Sequence, residues 1–205
     1  MYKLTDEALR EHPEVINIQS KGHKRDVGSG AFKILNNIIY HQQVPKDHKE
    51  YVKILGLVNN NRTFYWADSR YIDGPKSFDK YKVFIPKANG SGAIGEVLST
   101  PLVGAPLVGA TESFLSIGEF DDELSAVNCM KYIKTKFSRA MLGILKITQD
   151  NTREKWKCVP LQDFTPNSDI DWSKPIPEID QQLYKKYNLS PEEIDFIETH
   201  VKEME

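Results

Sequence analysis

The segment at residues 20–30 combines basic and small side chains in a pattern that suits phosphate binding. It reads SKGHKRDVGSG, and its glycines and polar residues predict a loop. Glycine lets a backbone approach a phosphate closely, and cationic side chains neutralise the phosphate charge. A plain exposed basic loop has the same composition and stays open as the alternative. The DNA contacts predicted in and just after this loop are Lys21, His23, Lys24, Arg25, Ser29 and Lys33.

A second candidate is the turn at residues 87–92, which reads KANGSG. It offers a cation, an amide and a small hydroxyl on a flexible backbone. An asparagine amide can pair bidentately with an adenine edge in the major groove. The turn therefore predicts DNA contacts from Lys87, Asn89 and Ser91. A tight structural turn made of turn-forming residues is the competing interpretation.

A hairpin and a helix supply the remaining candidates. Residues 51–66 hold two runs rich in β-branched and aromatic residues, separated by three asparagines, which predicts a hairpin. Apolar residues at spacings of three and four over residues 122–147 predict one long amphipathic helix, with Phe137 facing inward. A core position is the alternative for the tyrosine of the hairpin. The DNA contacts predicted on these two elements are Arg62, Tyr65, Lys136 and Arg139.

The chain shows no reaction centre of its own. A stand-alone adenine methylase needs a glycine-rich cofactor loop and an Asn/Asp/Ser-Pro-Pro-Tyr/Phe tetrad to hold the flipped base, and neither pattern occurs. Residues 90–95 match the bare Gly-x-Gly-x-x-Gly spacing. However, Pro86 precedes them and Pro101 cuts off any helix that follows, so no cofactor is expected to bind this chain.

Metal chemistry is the basis of one alternative function. The five histidines show no ligand spacing, so neither a metal site nor a catalytic residue is predicted. The alternative is a small magnesium-dependent nuclease that uses Glu14, Gln19 and Lys21, although their spacing is tight for two adjacent strands. A protein-docking module of a larger complex is a third possibility.

Composition bounds the class of protein. The 205 residues are 40% hydrophobic and 27% charged, as in ordinary globular proteins with a real core. No apolar run could span a bilayer and no apolar signal peptide opens the chain, so a cytoplasmic protein without membrane contact is expected. Cys129 and Cys158 are expected to be reduced thiols.

The net charge of −2 hides an asymmetry along the chain. Residues 131–157 hold eight basic side chains against two acidic ones, whereas residues 163–205 hold eleven acidic side chains against four lysines. A DNA-facing surface and an acidic tail can coexist, because the local field decides binding.

Other signals place these candidates on a scaffold. Thr5 is a predicted cap of a short helix that ends at Pro13, residues 15–18 predict a strand, and residues 31–39 have helical spacing. The near-duplicate repeats at 101–110, both PLVGA, predict an extended connection because prolines recur every five residues.

Together these elements predict an α+β fold, a mixed α/β scaffold. Strands are also predicted at residues 82–86 and 113–117, and Ser190 starts a capped last helix. We predict a β-rich recognition domain with a hairpin and one long helix at residues 1–160. An acidic surface segment and helical C-terminal tail are predicted to pack on it at residues 161–205.

The last third of the chain carries a succession of short motifs. They read YIKTKFSR at 132–139, KITQ at 146–149, WKCVPLQDFT at 156–165 and SDIDW at 168–172, followed by IDQQLYKKYNLSPEEIDFIE at 179–198. This succession resembles the C-terminal target-recognition region of bacterial adenine-N6 DNA restriction–modification enzymes, the fused type II methylase/endonuclease family. The resemblance is clearest over residues 80–205.

The resemblance implies a sequence-specific DNA recognition domain whose partners are double-stranded DNA and a methylase/nuclease part of the same enzyme. Such a domain grips the backbone and reads base edges while the separate methylase extrudes the adenine. S-adenosylmethionine and magnesium would then belong to that catalytic part.

Overall fold

The computed structural model describes residues 1–19, 22–90 and 92–204. Helices account for 34% of the residues and strands, in small sheets, for 22%, which confirms the predicted α+β class. In chain order the elements are β1 (Lys3–Leu4), α1 (Asp6–Glu11), α2 (Val15–Ile18), α3 (Ala31–Ile34), β2 (Tyr51–Val58), β3 (Asn61–Asp68), β4 (Ile72–Asp73), β5 (Tyr81–Pro86), β6 (Leu102–Gly104), β7 (Val108–Ala110), β8 (Phe114–Phe120), α4 (Glu123–Lys134), α5 (Lys136–Gly143), α6 (Ile176–Lys186) and α7 (Pro191–His200).

The chain forms two compact units. The first unit comprises Met1–Tyr81 and Gly104–Leu115, and the second comprises Lys82–Val103 and Ser116–Glu205. The predicted acidic tail, residues 161–205, is part of the second unit. The boundary at residue 160 rests on the change in charge and composition along the sequence, and it stays a prediction.

The first unit is built on the predicted hairpin. Strands β2 and β3 pair antiparallel, with Tyr51 opposite Asp68 and Val58 opposite Asn61. Asn59 and Asn60 form the turn with φ values of 50° and 62°, the left-handed geometry that asparagine tolerates best among residues with a side chain. Strand β7 adds to the other edge of β2 in parallel. The hairpin prediction is therefore confirmed.

Two predictions in the first unit were wrong in detail. Residues 15–18 form the single helical turn α2 instead of a strand, and its amide groups bond locally, from Ile18 to Glu14 and from Gln19 to Val15. Local backbone bonds outweighed the β-branched composition. The helix predicted at residues 31–39 is only α3, since Leu35 leaves the helical conformation with φ −112° and ψ 25°, and Asn37 follows with a φ of 58°.

In the second unit the predicted long helix is two helices. Thr135 has an extended conformation, with φ −58° and ψ 150°, so it ends α4 and caps α5 at the same position. Its hydroxyl donates to the Tyr132 carbonyl over 2.7 Å and accepts from the Ser138 amide over 3.1 Å. The apolar spacing continues across this break, which is why periodicity alone predicted one element.

The C-terminal helices pack within the second unit. Ser190 and Glu193 form the predicted reciprocal capping box at the start of α7. In α6, Ile179, Leu183 and Tyr184 are buried, which gives the helix one apolar face. The tail is thus an integral packed part of this unit.

Candidate nucleic-acid interface

Residues 22–33, here called the basic segment, present polar side chains at the surface of the first unit. His23, Lys24, Arg25, Ser29 and Lys33 are all exposed. Lys21 was predicted with them, and it lies outside the described residues. The structure thus places the described candidates of this group on one short stretch of accessible chain, as phosphate contact requires.

The backbone under the basic segment is held in place while its side chains point outward. The Leu4 amide donates to the Arg25 carbonyl over 2.6 Å, and the Val27 amide donates to the Tyr2 carbonyl over 3.2 Å. The Gln19 amide group donates to the carbonyls of Lys24 and Asp26, both over 3.4 Å. These bonds to β1 and α2 make the segment a defined surface rather than a free loop.

Charge on the basic segment is accessible. Within residues 1–19, 22–90 and 92–204, no acidic group lies at ion-pair distance from Lys24 or Lys33. Arg25 pairs with Asp6, but both side chains are at least half exposed, so the pair contributes little. Gly22 has a φ of 94° and open space around it, so the backbone is approachable there.

The hairpin candidates are less accessible than predicted. Tyr65 is 6% exposed, stacks on Phe32 at 4.3 Å between ring centroids, and accepts a hydrogen bond from Gln42 over 3.0 Å. It is a core residue, so the prediction of a DNA contact is corrected. Arg62 is half-buried with its guanidinium 5.9 Å from the Phe114 ring centroid, and burial lowers the pKa of Arg62.

The turn at residues 87–92 is a structural element of the second unit. Asn89 is 6% exposed, donates to the Val97 carbonyl over 3.2 Å and accepts from the Ser99 amide over 2.5 Å. Its amide is therefore satisfied internally, and the predicted base contact is corrected. Lys87 is half-buried, and its carbonyl accepts from the Asn151 amide. Ser91, the third candidate, lies outside the described residues.

Two glycines near this turn allow the backbone to pack closely. A Cβ at Gly92 would lie 2.4 Å from the Thr148 nitrogen, and one at Gly95 would lie 2.5 Å from the His200 carbonyl oxygen. Both positions also have positive φ, which favours glycine. Protein backbone therefore packs directly against both glycines.

The two candidates on α5 face the interior of the second unit. Arg139 is 3% exposed and donates to the carbonyls of Lys134, Glu96 and Lys202, and burial lowers the pKa of Arg139. Lys136 donates to the Glu198 carboxylate over 2.5 Å and is largely covered. Both predicted phosphate contacts are corrected. The apolar spacing identified the face of α5 that points inward, but it could not show that the C-terminal segment packs over Lys136 and Arg139.

Other basic residues at 131–157 are also used inside the unit. Lys146 is 3% exposed and contacts the Glu96 carboxylate and the Asn89 carbonyl. Lys131 donates to the Trp172 carbonyl over 2.7 Å. Four of the eight basic residues at 131–157 are therefore internal hydrogen-bond donors, and the acidic tail contributes one of their carboxylates.

Asp180 on α6 caps the break between α4 and α5. Its carboxylate accepts from the amides of Lys136 over 3.0 Å and Phe137 over 2.9 Å. Burial raises the pKa of Asp180 to about 6, and the two amide bonds act in the opposite direction. The cap therefore titrates in a range where ordinary aspartates are already ionised.

Asp180 predicts a pH-dependent stability. Between about pH 4 and 6 Asp180 retains its proton in the folded chain but has released it in the unfolded chain. Its contribution to the free energy of unfolding therefore decreases as the pH rises from about 4 to 6. Relative to Asp180→Asn, the free energy of unfolding of the wild type should fall by about 2–3 kcal/mol from pH 4 to pH 7. Denaturant titrations of both chains at each pH measure this, and a constant difference would contradict the assignment.

Two residues of the alternative nuclease, Glu14 and Gln19, lie within the described ranges, and neither is on a strand. Glu14 and Gln19 lie at opposite ends of the single turn α2, and the Gln19 amide is occupied by the carbonyls of Lys24 and Asp26. Lys21 lies outside the described residues. No pair of adjacent strands carries these groups among the described residues, so the arrangement that two-metal hydrolysis needs is not formed by them.

The structure brings together one group that sequence spacing did not predict. Ligand atoms of His23, Asp26 and Glu112 all lie within 4.8 Å of one another. Glu112 is far from the other two in sequence, so no motif could reveal the cluster. A histidine and an aspartate three residues apart were the only local signal.

Comparisons with protein-family models, curated proteins and solved structures found no match. No helix within the described ranges is long and apolar enough to cross a membrane.

Proposed function

We propose that this chain is a DNA recognition region of a restriction–modification enzyme, which positions a separate methylase/nuclease part on its target. The observation that carries the proposal is the basic segment, where exposed lysine, arginine and histidine side chains stand on a pinned, glycine-bearing backbone. The resemblance of residues 80–205 to such enzymes supports the same function.

The contribution of this chain is binding and positioning. Lys24, Arg25 and Lys33 neutralise backbone phosphates, which gives affinity without selecting a sequence. Ser29 is exposed next to them and offers a hydroxyl that can bond phosphate or a base edge. The methyl donor S-adenosylmethionine and magnesium are assigned to the catalytic part. The partners are double-stranded DNA and that part.

Charge reversal on the basic segment tests the proposal. Lys24→Glu combined with Arg25→Glu should weaken binding of the purified chain to duplex DNA by about tenfold, and equally for unrelated sequences, because phosphate contacts carry no sequence information. Fluorescence anisotropy at low salt measures this. The matched control reverses two exposed lysines of the second unit, Lys174→Glu with Lys185→Glu, and should leave the affinity within about twofold.

Two results would select the other candidates. Plasmid cleavage by the purified chain that Glu14→Ala abolishes would favour the nuclease. No DNA binding at low salt, together with tight binding to a methylase, would favour the protein-docking module.

A further inference from the structure

His23, Asp26 and Glu112 form a compact cluster of metal-ligating side chains in the first unit. The His23 Nδ1 and the Asp26 Oδ2 are 2.8 Å apart, and a ligand atom from each of the three residues lies within 4.8 Å of the others. Ligands of one zinc ion, each at about 2.0–2.2 Å from the metal, lie within roughly 4.4 Å of one another. Small side-chain rotations would therefore bring the three groups to coordination distance.

The backbone carrying these ligands is firmly held. The Glu112 amide donates to the Val27 carbonyl over 2.9 Å, and the preceding Thr111 amide donates to the Leu55 carbonyl on β2 over 2.8 Å. Asp26 forms a bridge with Lys3 of β1, and its amide donates to the His23 carbonyl. The ligands thus come from two distant stretches of chain that the sheet fixes side by side, as preorganised metal sites require.

We propose that His23, Asp26 and Glu112 bind a divalent transition-metal ion, with zinc as the best fit. One imidazole nitrogen and two carboxylate oxygens suit zinc, whereas magnesium prefers a shell of oxygen ligands and water. Two carboxylates balance the charge of the ion. Coordination through the His23 Nδ1, which faces the Asp26 carboxylate, would replace their hydrogen bond by two bonds to the shared ion.

The site would have a structural role for the proposed interface. It links the basic segment, through His23 and Asp26, to the chain that follows β7. Lys24 and Arg25 lie between the two ligands in sequence, so a bound ion would fix the backbone that presents both cations. His23 would then be a metal ligand and not a phosphate contact.

Titration of zinc into the chelator-treated full chain tests the site. One ion per chain should bind, and His23→Ala and Glu112→Gln should each weaken binding at least about tenfold. The matched control is His12→Ala, since His12 pairs with Glu14 alone over 3.4 Å among the described ion pairs. It should keep the wild-type affinity. Magnesium should bind much more weakly than zinc.

A second readout keeps the test independent of variant folding. Cobalt(II) added to the wild-type chain should give visible absorption bands of a bound, low-symmetry ion, and Glu112→Gln, which preserves the side-chain shape, should remove them while circular dichroism stays unchanged. No saturable zinc binding, or binding unchanged in both variants, would overturn the site. Neither experiment contains DNA. Absence of metal binding would therefore overturn the metal site alone, and the DNA-binding function would still be decided by the anisotropy experiment.

Discussion

Replacing Phe137 by alanine should destabilise the second unit by about 3–5 kcal/mol, because a buried aromatic side chain is lost and a cavity remains. Phe137 is 1% exposed and stacks on Tyr187 at 4.9 Å between ring centroids. It sits in the first turn of α5, next to the Thr135 cap and under the Asp180 carboxylate. Removing it therefore loosens the junction of α4, α5 and α6. A loss of this size approaches the whole stability of an ordinary domain.

The matched control for this prediction is Phe196→Ala on α7. Phe196 is 44% exposed and stacks on His200 at the surface. Its loss should cost less than about 1 kcal/mol, as surface changes usually do. Denaturant unfolding followed by circular dichroism measures both variants. Similar small effects at the two positions would mean that α5 does not pack as described.

Asn89→Ala should destabilise the chain by about 1–3 kcal/mol, since two backbone groups lose their hydrogen bonds to a buried side chain. The Ser99 amide and the Val97 carbonyl both bond the Asn89 side chain, which is 6% exposed. The same substitution should leave DNA affinity unchanged under conditions where the variant is folded. Thermal unfolding and anisotropy on the same samples separate the two effects.

Asn167→Ala is the control for the asparagine substitution. Asn167 is exposed in the same unit, so its replacement should shift the melting temperature by less than about 2 °C. If Asn89→Ala kept full stability and lost discrimination at one base position, the turn at residues 87–92 would be a base reader after all, and the structural role given to it here would be wrong.

Local signals in the sequence predicted much of the fold. The asparagine turn with its flanking β-rich runs predicted the hairpin, and Ser190 with Glu193 predicted the last helix, because each pattern satisfies its own backbone groups within a few residues. The break at Thr135 escaped the same reasoning. Its second cap is Asp180, distant in sequence, and an apolar period can run unchanged through a kink.

The candidate site was harder to predict because a charge in a sequence does not reveal what it faces. Arg139 and Lys136 looked like phosphate contacts, yet the helical tail supplies carbonyls and a carboxylate that cover them. The Asn89 amide group could pair with an adenine edge, but in the structure it bonds the backbone of the following loop, at the Ser99 amide. The candidate side chains of the basic segment are exposed, as predicted, while its apolar residues Val27, Ala31 and Phe32 are buried.

The salt dependence of DNA binding tests the central claim most directly. For the wild-type chain, log affinity should fall linearly with log salt, with a slope of about −0.9 for each phosphate contact. If Lys24 and Arg25 each contact one phosphate, their double reversal to glutamate should make the slope less steep by about 1.8. A salt-independent affinity, or equal slopes for the two chains, would contradict the assignment of the basic segment as the DNA-binding surface.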